Sequence, residues 1–86
     1  MVAPIIILSQ DHLAEVVKQH LQTYGPACDL NHLDISRVTS LQGIFYQSDF
    51  QGDISKWDTS NVRSLENTFE RSAFNGDISN WNTSKV

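Results

Sequence analysis

A chain of 86 residues, 40% hydrophobic and 19% charged, is one small folded domain rather than a disordered segment. A net charge of -4 without a long run of either sign excludes nonspecific binding to nucleic acid or an anionic membrane. The lone cysteine, Cys28, excludes an internal disulfide, so packing alone must hold a domain of this size.

The opening stretch MVAPIIILSQD has no basic segment, and its apolar run is too short for a signal sequence or a membrane span. The chain as written is therefore expected to be soluble and cytoplasmic. Residues 5–8 form a continuous, largely β-branched apolar run that reads as a buried strand. Ser9 or Asp11 can cap a following helix by accepting backbone N–H bonds. Over 11–24, Leu13, Val16, Val17, Leu21 and Tyr24 recur at helical spacing, with Glu15, Lys18, Gln19 and Gln22 opposite. Gly25 and Pro26 end that helix.

Beyond it the chain repeats. Phe50 to Val62 reads FQGDISKWDTSNV and Phe74 to Val86 reads FNGDISNWNTSKV, with nine of thirteen positions identical. An older copy lies one period earlier: Leu30-x-x-Leu33-x-Ile35-x-x-Val38 aligns without gaps on Ile54, Trp57, Thr59 and Val62, then on Ile78, Trp81, Thr83 and Val86. Leu41 falls on Leu65, Phe45 on Phe69, Ser48 on Ser72 and Phe50 on Phe74. The same frame carried back meets Ala14, Val17 and Leu21, so the first helix reads as the terminal cap of a stack. The expected organisation is a single domain, 1–86. A capping strand and helix (1–27) precede repeats 28–49, 50–73 and 74–86, the last incomplete.

Each repeat is expected to run strand, turn, helix and return loop. Strands are placed at 32–36, 56–60 and 80–84, with Leu33, Ile35, Trp57, Thr59, Trp81 and Thr83 inward. Short helices, capped by Ser36 or Ser60, carry Val38, Leu41 and Phe45, then Val62, Leu65 and Phe69. Gly52 and Gly76 supply a backbone conformation that other residues resist in the return loops. After Val86 no helix follows, so the open strand edge predicts either a homodimer, the favoured reading, or a place in a longer repeat array.

The L-x-x-L-x-L spacing with recurring GDISxW and Thr-Ser resembles the BspA-type leucine-rich repeat family over about residues 28–86. This chain has fewer repeats, and Leu30 to Val38 keeps only the apolar skeleton. The resemblance implies an α/β fold: a short right-handed βα leucine-rich-repeat-like solenoid with parallel strands. It also implies recognition or adhesion, as on a microbial surface.

On the concave face the ladder Asp34, Asp58 and Asn82 would stack about 4.8 Å apart. His32, Lys56 and Asn80 flank it on one side, Ser36, Ser60 and Ser84 on the other. These nine residues are the candidate partner-binding set. The carboxylates could hold a cation or a basic partner, or accept turn N–H groups. The row Asp29, Asp53 and Asp77 is expected to serve turns, since calcium-binding β-rolls need a nine-residue repeat. Cys28-x-x-x-His32 with His20 lacks a second ligand pair for zinc and the supporting groups of a nucleophile, so neither metal nor cofactor is expected. Trp57 and Trp81 read as core. Asn82-Thr83-Ser84 fits the glycosylation pattern but is also plain repeat sequence.

The function expected is non-catalytic protein binding through the concave face, with the partner unidentified and neither membrane nor nucleic acid bound directly. A second reading is a small free-standing acidic inhibitor of a host factor, phage- or mobile-element-encoded, whose ladder imitates nucleic-acid phosphates.

Overall fold

β-Branched isoleucines favour extended backbone. The computed structural model, which describes residues 3–86, places them in β1 (Ile5–Ile6), parallel to β2 (Leu33–Asp34). Ile5 pairs with Leu33 and Ile6 with Asp34. The Ile5 N–H donates to the His32 carbonyl at 2.9 Å and the Ile7 N–H to the Asp34 carbonyl at 3.0 Å. The run 5–8 is only half buried, contrary to expectation. Ile7 is inside, whereas Ile6 and Leu8 are exposed, because a strand with core on one side shows it alternate side chains. Met1 and Val2, at the head of the expected cap, lie outside the described residues.

Helix α1 (Gln10–Tyr24) starts one residue ahead of its expected position. Ser9 is its cap: the Ser9 hydroxyl accepts the His12 N–H at 3.1 Å, and His12 Nδ1 accepts the Leu8 N–H at 3.0 Å. This reciprocal pair does the work of a capping box with histidine in the acceptor role. Gly25, at φ 88°, closes the other end by donating its N–H to the Leu21 carbonyl. Leu13 and Val17 enter the core, with Val16 and Leu21 partly buried beside them. Tyr24 and Ala14 stay outside, so the apolar stripe is narrower than its spacing suggested. The Gln10 side chain donates to the Gln42 carbonyl at 2.8 Å and ties the helix to the first repeat.

From Gly25 onward the chain is built mostly from turns. The expected strands at 56–60 and 80–84 and the expected helices after Val38 and Val62 do not form, and only Leu33–Asp34 is extended as β2. The strand edge on which the expected homodimer rested is therefore not a regular strand. Instead the N–H groups of Leu33, Trp57 and Trp81 return to the carbonyls of Leu30, Ile54 and Ile78, and those of Val38, Val62 and Val86 to Ile35, Thr59 and Thr83. The i,i+3 spacing that reads as L-x-x-L is thus the closure of a β-turn.

The next stretch is a ridge of overlapping turns. Ile44, Tyr46 and Ser48 donate to Leu41, Gly43 and Phe45, and one repeat later Thr68, Glu70 and Ser72 donate to Leu65, Asn67 and Phe69. Positive φ at Gly43, Gln47, Asn67 and Arg71 breaks any helix here. The N–H groups skipped by these turns point along the stack. Leu41, Gly43, Phe45 and Gln47 donate to the carbonyls of Ser64, Glu66, Thr68 and Glu70 at 2.9 to 3.1 Å. The bridges Asp29↔Asp53 and Ser40↔Ser64 fix the same 24-residue register.

Side chains repeat the register in the core. Trp57 Nε1–H donates to the Leu30 carbonyl at 2.8 Å and Trp81 Nε1–H to the Ile54 carbonyl at 3.0 Å. Phe45 stacks on Phe69, Phe50 on Phe74 and Trp57 on Trp81, with ring centroids 5.6 to 6.1 Å apart. Stacked pairs add about 0.5–1.5 kcal/mol each beyond their burial. Leu33, Ile35, Trp57, Thr59 and Trp81 are buried as expected, but Thr83 is exposed. Among the described residues no helix is long and apolar enough to cross a membrane.

Glycine serves two different purposes here. Gly52 and Gly76 have no positive φ, contrary to expectation; a Cβ on Gly52 would lie 1.7 Å from the Cys28 carbonyl, so Gly52 permits close approach of two coils. Gly43 has open space around it but sits at φ +68°. Gly43→Ala should therefore cost about 1 kcal/mol of backbone strain. Gly52→Ala should cost more than about 3 kcal/mol, because backbone must separate. Urea unfolding measures both, and equal losses would refute the close-approach argument.

Candidate functional site

The Asp-x-Ser steps of the sequence build the candidate face. An aspartate carboxylate readily accepts the backbone N–H two residues on, offering the chain a turn in place of a ladder. Asp34 Oδ1 accepts the Ser36 N–H at 3.0 Å and the Ser36 hydroxyl at 2.6 Å. Asp58 Oδ1 accepts the same two groups of Ser60 at 3.1 and 2.6 Å. Asn82 Oδ1 accepts the Ser84 N–H at 2.9 Å.

These bonds set the charge state. The Ser36 hydroxyl and N–H hold the Asp34 carboxyl below the usual range, against a small opposing effect of burial. Ser60 does the same for Asp58, partly opposed by burial and by the neighbouring Asp34 charge. Both carboxylates are ionised at neutral pH, and the second oxygen of each is not used in its turn.

Of the other expected residues, Lys56 is exposed, and its backbone N–H is held by Asn31 Oδ1 at 2.9 Å. Asn80, Asn82 and Ser84 are exposed, and Ser36 and Ser60 half-buried. Coils are joined across the face by Asn61 donating to the Ser36 carbonyl at 2.8 Å and Lys85 Nζ donating to Asn61 Oδ1 at 3.1 Å. Buried Thr59 donates to the Asn82 carbonyl and accepts the Asn82 N–H. His32 turns aside, its Nε2 lying 3.2 Å from His20 Nε2.

Sequence reasoning missed one member of this face, Ile6, and the exposure of Leu8 after it. Ile6 stands beside Asp34 in register, and Leu8 follows with its side chain 70% exposed. Their signal was the unbroken run 5–8, which hides alternation because both sets of side chains are apolar. At Asp34 the face therefore sets an ionised carboxylate beside the exposed Ile6 side chain.

The row Asp29, Asp53 and Asp77 follows the same turn chemistry. Asp29 Oδ1 accepts the Asn31 N–H, Asp53 Oδ1 both groups of Ser55, and Asp77 Oδ1 the Ser79 N–H. The Ser55 N–H and hydroxyl, then the Asn31 side chain, hold Asp53 at about 2. Among the described residues no three His, Cys, Asp or Glu side chains are grouped to hold a metal ion. Burial pushes the Cys28 thiol up.

A family model described as "Mycoplasma protein of unknown function, DUF285" matches residues 13–86. No match is found among curated proteins or among solved structures.

Carboxylates whose folded pKa is depressed contribute stability above their ordinary value, and that contribution is lost as pH falls through the folded value. The melting temperature should accordingly fall between the ordinary 3.8 and about 2. Ser55→Ala should raise the Asp53 value toward 3.8, read by carboxyl ¹³C NMR. An unchanged Asp53 titration would rule out the Ser55 hydroxyl as a cause and leave the backbone N–H, which alanine keeps.

Proposed function

The chain belongs to the DUF285 family of Mycoplasma proteins, and from that premise we propose that it is a non-catalytic protein-binding repeat module. Its coils are read as turns of a right-handed, leucine-rich-repeat-like solenoid of BspA type. The repeating GDISxW segment and the shared 24-residue register support that reading. Stacked repeats offer an extended surface whose outward side chains vary while the stacking layer is kept.

The observation that carries the proposal is the pairing in register of exposed Ile6 with Asp34, whose carboxylate in turn lies close enough to Asp58 to be felt by it. Carboxylates held ionised by serine donors suit presentation of fixed charge rather than proton transfer near neutrality. The exposed aliphatic side chain beside Asp34 adds a desolvation gain that a purely charged ligand would not collect. The complement is a protein surface with lysine or arginine bordering an apolar patch.

Affinity capture with the wild type and with Asp34→Lys/Asp58→Lys tests this directly. A partner held by the wild type should bind the double variant more than about tenfold more weakly, a loss of ~1.4 kcal/mol or more. Ile6→Ser should weaken the same partner, and raised salt should weaken the wild type, because exposed charges are screened. Equal capture by all three forms would remove this face from the reading.

A further inference from the structure

Away from the acidic face, the fold brings together two histidines that are distant in sequence. His20 lies on the flank of α1 with Val16 and Tyr24, and His32 lies in the turn before β2. Their Nε2 atoms are 3.2 Å apart, with ring centroids at 5.1 Å and planes tilted by 44°. Both line a cleft of about 660 Å³ together with Ile5, Tyr24, Cys28 and Asp29. We propose that His20 and His32 form a two-imidazole site for a divalent transition-metal cation of the zinc type, with the remaining coordination positions taken by solvent.

Distance is the first argument. Zinc holds imidazole nitrogen at about 2.0–2.1 Å, so two ligands on a tetrahedral ion stand about 3.3 Å apart. The observed separation needs almost no adjustment. The tautomer is the second. The Val16 carbonyl can only accept, so the 2.9 Å contact with His20 Nδ1 places the proton there and leaves the Nε2 lone pair bare. A backbone carbonyl behind a ligating imidazole is the usual outer-shell support, fixing ring orientation and raising basicity. In the metal-free protein His32 Nε2 carries the hydrogen shared with His20. Binding transfers that proton to His32 Nδ1, so neutral His32 keeps one proton throughout.

Imidazole nitrogen selects zinc, copper or nickel over magnesium or calcium, which prefer oxygen. Asp29 on the cleft wall and the net charge of -4 favour a cation's approach. With two protein ligands the site is weaker than a closed four-ligand one. It bridges α1 and the first coil, so the metal binds the folded chain and stabilises it by mass action.

The test uses the full chain without an affinity tag. Zn²⁺ should raise the melting temperature and bind by calorimetry, whereas Mg²⁺ should do neither. His20→Gln and His32→Gln should each weaken Zn²⁺ at least about tenfold. His12→Gln and Cys28→Ser should bind as the wild type does. Independently of the variants, imidazole ¹⁵N NMR of the wild type should show Zn²⁺ shifting Nε2 of His20 and His32 but not of His12. Undiminished binding in His20→Gln and His32→Gln, loss of binding in His12→Gln or Cys28→Ser, or unshifted Nε2 resonances would overturn the site and leave the pair as a hydrogen bond only.

Discussion

The first coil of the repeat satisfies its backbone polar groups in two directions at once. Turn closure takes alternate N–H groups within a coil, as in Ile44, Tyr46 and Ser48. The N–H groups between them, Leu41, Gly43, Phe45 and Gln47, go to the next coil. A buried backbone group without a partner costs about as much as a lost hydrogen bond, so neither set can be dropped. Because the two sets interleave, a one-residue slip between coils would exchange them and break both. This interleaving fixes the register, and the register fixes which ring meets which.

The aromatic ladder follows from it. Phe45 on Phe69 and Phe50 on Phe74 are pairs of equivalent positions, and their nearly parallel planes come from two coils of the same shape. The tryptophans add a hydrogen-bonded tie across layers, reaching the Leu30 and Ile54 carbonyls through Nε1. Thr68 makes a similar tie to the Leu41 carbonyl at 2.7 Å. Polar atoms in the core are thereby used as registration points, and an apolar side chain could not replace them without orphaning a carbonyl.

Much of this was legible in the sequence, and the misses have definite causes. Period and frame were plain from Phe50 to Val86, and so were the inward residues Leu33, Ile35, Trp57, Thr59 and Trp81. Helix α1 was legible because Ser9, the apolar spacing and Gly25 all agree. Local structure within the repeats was misread because spacings of three and four suit overlapping turns as well as a helix. Asx capture by Asp34, Asp58 and Asn82 decided the matter, and a hydrophobic pattern does not report it. His20 and His32 group with Cys28 in the sequence and are set aside for want of a second ligand pair, and no spacing could show that their rings meet. They belong to different elements, and only the packing of α1 on the first coil brings them together.

What the fold requires and what it leaves over can be separated at one position. Asp58 and Asn82 are equivalent, and each caps its turn through Oδ1 to the serine two residues on. Asparagine meets the geometric need without a charge. The negative charges at Asp34 and Asp58 are therefore more than the turn requires, and they come at the cost of placing two like charges close enough for Asp34 to oppose the ionisation of Asp58. Ser36 and Ser60 offset that repulsion by donating to the carboxylates. The same holds for Ile6, whose exposed side chain contributes little to the core that Ile7 fills beside it. Charge that the turn can do without and aliphatic surface that the core does not use lie side by side in register. Stability alone accounts for neither, and it is on these two features that the proposed binding role rests.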